Sequence, residues 1–141
     1  MRRIVASRNR ADASDSWPMT SMPIGWDAKW IEPEEAAGSP SCQRPAYLLA
    51  GEVNIPGKVA TAELRITARG IYEAFLNGRR VGDQELTPGY TAYRHRLQVQ
   101  TFDVTELVKE GSNALGVILS DGWWRGQTGF GRTGLPWVAG S

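Results

Sequence analysis

Asp121-Gly122-Trp123-Trp124-Arg125 is the densest run of ligand-recognising groups in the chain. An indole is a flat apolar surface that stacks on the C–H face of a pyranose while its ring N–H finds a polar partner. A guanidinium donates to hydroxyls and a carboxylate accepts from them. Trp123, Trp124, Arg125 and Asp121 therefore form a candidate sugar-binding set, with Tyr90 of the Thr87-Pro88-Gly89-Tyr90 loop as a fifth member. The run follows an almost continuously apolar stretch, 114–119. In a continued extended conformation its two tryptophans face opposite sides, one into the core and one outward. A structural role competes, because tryptophan beside a core strand usually packs and Arg125 can pair with a carboxylate or cover an indole face.

The loop at 83–90 offers different chemistry. Calcium takes hard oxygen ligands, and the Asp83 carboxylate with the Pro88 carbonyl supplies two, too few for a shell without a second loop. The competing assignment has Asp83 capping a turn, Pro88-Gly89 making a bend, and Tyr90 and Tyr93 packing on the sheet edge. Glycoside hydrolysis needs two carboxyl groups at a fixed separation, one of them kept protonated. Glu73, Asp83, Glu85 and Asp121 are available, but in a chain with fifteen acidic residues no motif ties any two together. His95 sits between Arg94 and Arg96 and is assigned to the surface. No nucleophile elbow surrounds any serine, and Cys42 lies in a Pro-flanked loop. No catalytic residue is expected.

Composition narrows the partners. Sixteen Lys+Arg against fifteen Asp+Glu give a net charge of +1, so nucleic acid and anionic membrane are not expected partners, and a neutral or sugar-like one is compatible. A chain of 141 residues, 41% of them hydrophobic, is expected to form one domain with a modest core. The single cysteine excludes an internal disulfide and a multi-cysteine zinc site. Arg2, Arg3, Arg8 and Arg10 are followed by no apolar run of the kind a secretory signal needs, so no signal peptide is read and the compartment stays open between cytoplasm and export. No stretch approaches the roughly 20 apolar residues that cross a bilayer as a helix.

The elements that must hold these groups are strands. Residues 1–24 are polar, aperiodic and interrupted by Pro18 and Pro23, which predicts a disordered arm; residues 25–141 are assigned to a β-sandwich with its core at 26–130 and an irregular tail at 131–141. A short strand is predicted around Lys29-Trp30-Ile31 and another over 47–53. Between 62 and 69 the apolar Ala62, Leu64, Ile66 and Ala68 alternate with Glu63, Arg65, Thr67 and Arg69, the period of a half-buried strand. Gly70 breaks the run, 71–76 resumes it, and Asn77-Gly78 is the pair that favours a tight hairpin, with 79–81 as its return arm. Further strands are predicted at 97–104 and 114–119, the latter covered on both faces, with one helical turn at 105–109 capped by Asp103 or Thr105. Many short strands without a long amphipathic helix predict an all-β, antiparallel β-sandwich.

An ordered set of motifs carries a resemblance: Ala62-Glu63-Leu64-Arg65-Ile66-Thr67-Ala68-Arg69-Gly70-Ile71-Tyr72-Glu73, Leu76-Asn77-Gly78-Arg79-Arg80-Val81-Gly82-Asp83, Thr87-Pro88-Gly89-Tyr90-Thr91-Ala92-Tyr93, Gln100-Thr101-Phe102-Asp103-Val104-Thr105, Gly111-Ser112-Asn113-Ala114 and Asp121-Gly122-Trp123-Trp124-Arg125-Gly126. This succession resembles the N-terminal β-sandwich domain of bacterial α-L-rhamnosidases, over roughly 26–130, with Ala28-Lys29-Trp30-Ile31 similar to its opening strand. The resemblance implies a jelly-roll, galactose-binding-like domain preceding a helical catalytic barrel that this chain is too short to contain. It also implies L-rhamnose or a rhamnose-containing glycan as ligand and the parent enzyme's catalytic domain as partner. In some relatives calcium assists, which adds Glu34 or Glu35 to Asp83 and Pro88 as metal-ligand candidates. The expected function is a non-catalytic accessory domain; the alternatives are a purely structural interdomain scaffold or a small oligomeric lectin. Family domains continue with strands beyond 130, so the sandwich is expected to lack its last strands and to leave an open edge through which a homodimer could form.

Overall fold

The structure, a computed structural model, describes residues 4–7, 30–35, 44–93 and 95–125. The strands are β1 (Ile4–Ser7), β2 (Tyr47–Ile55), β3 (Glu63–Ala68), β4 (Ile71–Leu76), β5 (Arg79–Arg80), β6 (Gln100–Asp103) and β7 (Gly111–Ser120), followed by a single helical turn, α1 (Gly122–Arg125). They form two antiparallel sheets, β1-β3-β6 and β2-β7-β4-β5, which makes an all-β sandwich. No helix among the described residues is long and apolar enough to cross a membrane.

Alternation in the sequence becomes burial in the fold. Leu64, Ile66 and Ala68 of β3 face Tyr72, Ala74 and Leu76 of β4 and Val117 and Leu119 of β7 across the gap between the sheets. Register keeps these side chains in step, with Tyr72 opposite Leu119, Ala74 opposite Val117 and Leu76 opposite Leu115. The β7 strand, predicted to be covered on both faces, is covered mainly on one. Asn113, Val117 and Leu119 are buried, whereas Ala114 is exposed and Gly116 and Ile118 are half-buried. Two small residues on its outer face, Ala114 and Gly116, make the run look apolar without any layer among the described residues to cover it.

Other boundaries also moved. Ile4–Ser7, inside the predicted disordered arm, forms β1 against β3, with Ile4 opposite Ala68 and Ala6 opposite Ile66. The rest of that arm lies outside the described residues, as do Cys42 and the predicted tail at 131–141, where the family's last strands were expected to be lacking. The strand predicted around Trp30 is reduced to one bridge position at Ile31. The strand predicted from 97 begins at Gln100; ahead of it the buried Thr67 Oγ1 donates to the Gln98 carbonyl at 2.6 Å. The Asn77-Gly78 hairpin and the turn after β6 form as predicted, the latter with Thr105 N donating to Asp103 Oδ1 at 2.9 Å. Outermost among the described strands are β1 and β6 in one sheet and β2 and β5 in the other.

At the hairpin end, Asn113 is 1% exposed and joins three segments. Its Nδ2 donates to the Lys109 carbonyl at 2.7 Å and the Gly111 carbonyl at 3.0 Å, while its Oδ1 accepts from Lys109 N and Asn77 Nδ2, both at 2.8 Å. Asn77 in turn donates to the Leu107 carbonyl at 2.7 Å and accepts from Ala114 N at 3.0 Å. Removing a buried hub of this kind strands several polar groups. Asn113→Ala is therefore expected to destabilise the domain by about 2–4 kcal/mol in urea unfolding, and Asn113→Asp, which has lost the donor, by a similar amount.

Tyr72 is 2% exposed and its hydroxyl donates to Gln100 Oε1 at 3.0 Å, so it crosses from one sheet to the other. Burial raises the pKa of this phenol above its ordinary value of 10.0. The unfolded chain then releases the proton first, and the stability present at neutral pH falls as pH climbs past roughly 10. Urea unfolding between roughly pH 9 and 11 should show this decline, and Tyr72→Phe should flatten it.

Candidate functional site

The candidate site is built where two backbones cross at glycines. β3 ends at Ala68, and after Arg69 the chain passes from one sheet to the other at Gly70, whose φ is +140°. A Cβ there would fall on the Ser120 carbonyl oxygen, because Ile71 pairs with Ser120 at the end of β7. Just beyond, Gly122 has φ +50°, and a Cβ on it would lie 2.5 Å from Ile71 Cγ1 and 2.9 Å from Ile71 N. Neither position accepts a side chain without separating the strands. The crossing sets Arg69, which precedes one glycine, beside Trp124, which follows the other.

A third segment is tied in from the loop after β5. Tyr72 N donates to the Thr87 carbonyl at 2.9 Å, and Thr87 Oγ1 donates to the Tyr72 carbonyl at 2.7 Å. Gly89 N closes a turn on the Leu86 carbonyl at 2.9 Å, and Gln100 Nε2 donates to the Pro88 carbonyl at 3.2 Å. Tyr93 is buried with its hydroxyl on the Gly89 carbonyl at 3.0 Å; burial, with Tyr90 adding to it, raises its pKa.

These ties assemble a chain of four rings, all edge to face. Trp123 meets Tyr90 at 6.1 Å between centroids, Tyr90 meets Tyr93 at 6.2 Å, and Tyr93 meets Trp124 at 5.6 Å. Such pairs contribute roughly 0.5–1.5 kcal/mol each beyond the area they bury. The Arg69 guanidinium carbon lies 4.9 Å from the Trp124 ring centroid and 5.6 Å from that of Trp30. Ion pairs frame the rings. Arg125 Nη1 donates to both Glu35 carboxylate oxygens at 2.9 Å, Arg44 Nη1 donates to Asp121 Oδ2 at 3.2 Å, and Arg125 Nε stands 4.0 Å from Asp121 Oδ1. Tyr90 is 60% exposed, and Trp30, Trp123 and Trp124 are each partly open to solvent.

All five sugar-binding candidates therefore meet in one place, though not in the expected conformation. Residues 122–125 form a helical turn, with Arg125 N on the Asp121 carbonyl at 3.4 Å, instead of an extended segment. Both tryptophans are half-buried on the same cluster, and neither is a core residue. The left-handed Gly122 turns the chain out of the strand, a signal that Asp-Gly after an apolar run could have given. Sequence reasoning missed Trp30, Arg69, Tyr93 and Arg44. Arg69 looked like one more polar position of the alternation, and only its place before Gly70 hinted otherwise.

The metal candidates do not assemble. Among the described residues no three His, Cys, Asp or Glu side chains come together to hold an ion, so Asp83, Glu34 and Glu35 do not share a site. Glu35 belongs instead to Arg125, Asp83 and Glu34 are exposed, and the Pro88 carbonyl is taken by Gln100. The donor set does not fit calcium. Glu73 and Glu85 are also engaged, with Arg80 Nη2 donating to Glu73 at 3.4 Å and to Glu85 at 2.9 Å. A cleft of about 860 Å³ opens between the sheets at the far end, beside Val53, Ile55, Leu64, Leu76, Val104 and Leu115. Asn54, Lys58, Glu63, Asp103 and Thr105 also line it, but no aromatic ring among the described residues does, so a pyranose face finds nothing to stack on there, which favours the aromatic end.

Comparison with known proteins fits this geometry. Residues 57–138 match the family described as the alpha-L-rhamnosidase N-terminal domain. The chain belongs to that family. It is 43% identical over 122 residues to an α-L-rhamnosidase of Streptomyces avermitilis, covering 84% of this chain and 11% of that protein. To an α-L-rhamnosidase of Formosa agariphila it is 36% identical over 135 residues, or 86% of this chain and 14% of the relative. Among solved structures, the S. avermitilis α-L-rhamnosidase complexed with L-rhamnose superposes with a TM-score of 0.59 at 47% identity, over 64% of this chain and 9% of that one. The native Aspergillus terreus enzyme superposes at 0.62 with 28% identity, over 99% of this chain and 21% of that one. The chain thus spans about an eighth of the curated relatives' length, the part that corresponds to an accessory domain of a glycoside hydrolase.

The rhamnosidase-type domain should depend on its glycine crossing. Gly122→Ala, which forces a Cβ onto Ile71 at a left-handed residue, is expected to lower stability by about 1–3 kcal/mol and to shift tryptophan emission as Trp124 leaves Arg69 and Tyr93.

Proposed function

We propose that this chain is a non-catalytic accessory domain whose aromatic end binds an L-rhamnose-type sugar. The observation that carries the proposal is the convergence of Trp123, Trp124, Tyr90, Arg125 and Asp121 at one end of the sandwich, with aromatic faces partly open and hydrogen-bonding groups beside them. A methyl-bearing pyranose has an apolar face for Tyr90 and Trp123 and hydroxyls for charged neighbours. The co-crystallised L-rhamnose named for the S. avermitilis relative supports the choice of sugar.

The chain lacks the means of hydrolysis in this reading. The two carboxylates of the cluster, Glu35 and Asp121, are each held by an arginine, so neither is placed as a proton donor to a glycosidic oxygen. The chemistry falls to the remainder of a parent enzyme, on which this domain packs.

An interdomain scaffold without a ligand is the second reading, favoured by the small share of each relative that the chain spans. Titration of the chain with L-rhamnose, followed by indole N–H shifts, separates the two. Sugar binding predicts saturable shifts at Trp123 and Trp124 with a Kd on the order of 1 mM, equally strong with a chelator present because no calcium site is assembled among the described residues. Silence at high millimolar sugar supports the scaffold. Tyr90→Ala should abolish the shifts while leaving the thermal midpoint within a few degrees, since the ring is mostly exposed.

A further inference from the structure

The cluster holds three guanidinium groups against two carboxylates. Arg44 has Asp121 and Arg125 has Glu35, but among the described residues Arg69 makes no ion pair and no hydrogen bond. Its Nε is buried without a partner, and its charge is bordered by the rings of Trp124 and Trp30 at 4.9 and 5.6 Å. Indole faces attract a cation, yet they replace none of the hydrogen bonds that water gave the guanidinium. A partly desolvated guanidinium with free N–H groups is best met by a carboxylate, whose two oxygens match its fork and whose charge it neutralises.

From this we infer that Arg69, with Trp124 and Trp30, is a carboxylate-reading position and that the saccharide bound at the aromatic end carries a uronate group. The inference rests on the sugar-binding proposal and names its ligand class more narrowly. Trp124 joins the two parts of the site, touching Arg69 on one side and, through Tyr93 and Tyr90, the exposed ring that a pyranose would cover. A sugar without an acid group satisfies the platform and leaves Arg69 as it stands. A uronate satisfies both. A bare carboxylate, such as a neighbouring domain's Asp or Glu would supply, satisfies Arg69 alone.

The test uses the full chain and four probes, D-glucuronate, D-glucose, acetate and L-rhamnose, followed by indole N–H shifts and tryptophan emission. The expected result is glucuronate binding about tenfold or more tightly than glucose and than acetate, as one charge-assisted contact would give. This preference should shrink with added salt, because the site is partly open to solvent. Arg69→Gln should bring glucuronate down to glucose, and Arg69→Lys, which keeps the charge but not the fork, should fall between. Equal binding of glucuronate and glucose overturns the inference, as does acetate binding as tightly as glucuronate or a preference that survives Arg69→Gln. Should that variant misfold, the salt dependence of the unaltered chain decides: a preference unmoved by salt also overturns it. L-rhamnose binding without uronate preference removes this inference and leaves the sugar proposal standing, uronate capture without a rhamnose response keeps the aromatic end as a saccharide site but removes L-rhamnose as its sugar, and silence to every probe removes both.

Discussion

Close packing of two backbones, at Gly70 and Gly122, is the constraint on which the candidate site depends. Hydrogen bonding between β4 and β7 brings Ile71 opposite Ser120, and the absence of a side chain on either glycine lets the flanking segments turn outward together. Without that approach Arg69 would follow a strand of one sheet and the tryptophans would leave the other, with nothing to hold them in register. The third contributor, the Thr87–Tyr72 pair of hydrogen bonds, attaches the tyrosine loop to the same strand, β4. A single strand thus positions all three parts.

The two ends of the sandwich are consequently different. At the hairpin end, Asn77 and Asn113 satisfy main-chain groups from three segments, and nearly every polar atom there serves the fold. At the crossing end, rings meet edge to face with much of their surface still open, and Arg69 keeps donors without acceptors. Imperfect satisfaction of that kind is tolerated where a ligand or partner completes it, whereas a core would select against it. The asymmetry is the physical reason for placing function at one end of an otherwise ordinary sheet protein.

Much of this was legible in the sequence because its signals are local. Alternation from Leu64 to Ala68, the Asn77-Gly78 turn and the Asp103 cap each follow from neighbours along the chain, and each formed. The sugar-binding candidates were found for the same reason, since Trp123, Trp124 and Arg125 are adjacent. What was not legible is long-range. That Arg69 faces Trp30 and Trp124, that Glu35 belongs to Arg125 ninety residues away, and that Ile4–Ser7 adds a strand to β3 all depend on pairing that no local pattern encodes. The calcium candidates were not brought together for this reason: Glu35 went to Arg125 and the Pro88 carbonyl to Gln100, while Asp83 and Glu34 stayed exposed.

Membership of the α-L-rhamnosidase N-terminal domain family accounts for the framework, and the glycine crossing accounts for what the framework displays. The most direct measurement is the proton NMR environment of Arg69 in the free chain. The account requires nuclear Overhauser contacts from the Arg69 side chain to the rings of both Trp124 and Trp30, with its δ-methylene protons moved upfield by the indoles. Random-coil shifts for Arg69, with no contact to either ring, would contradict it.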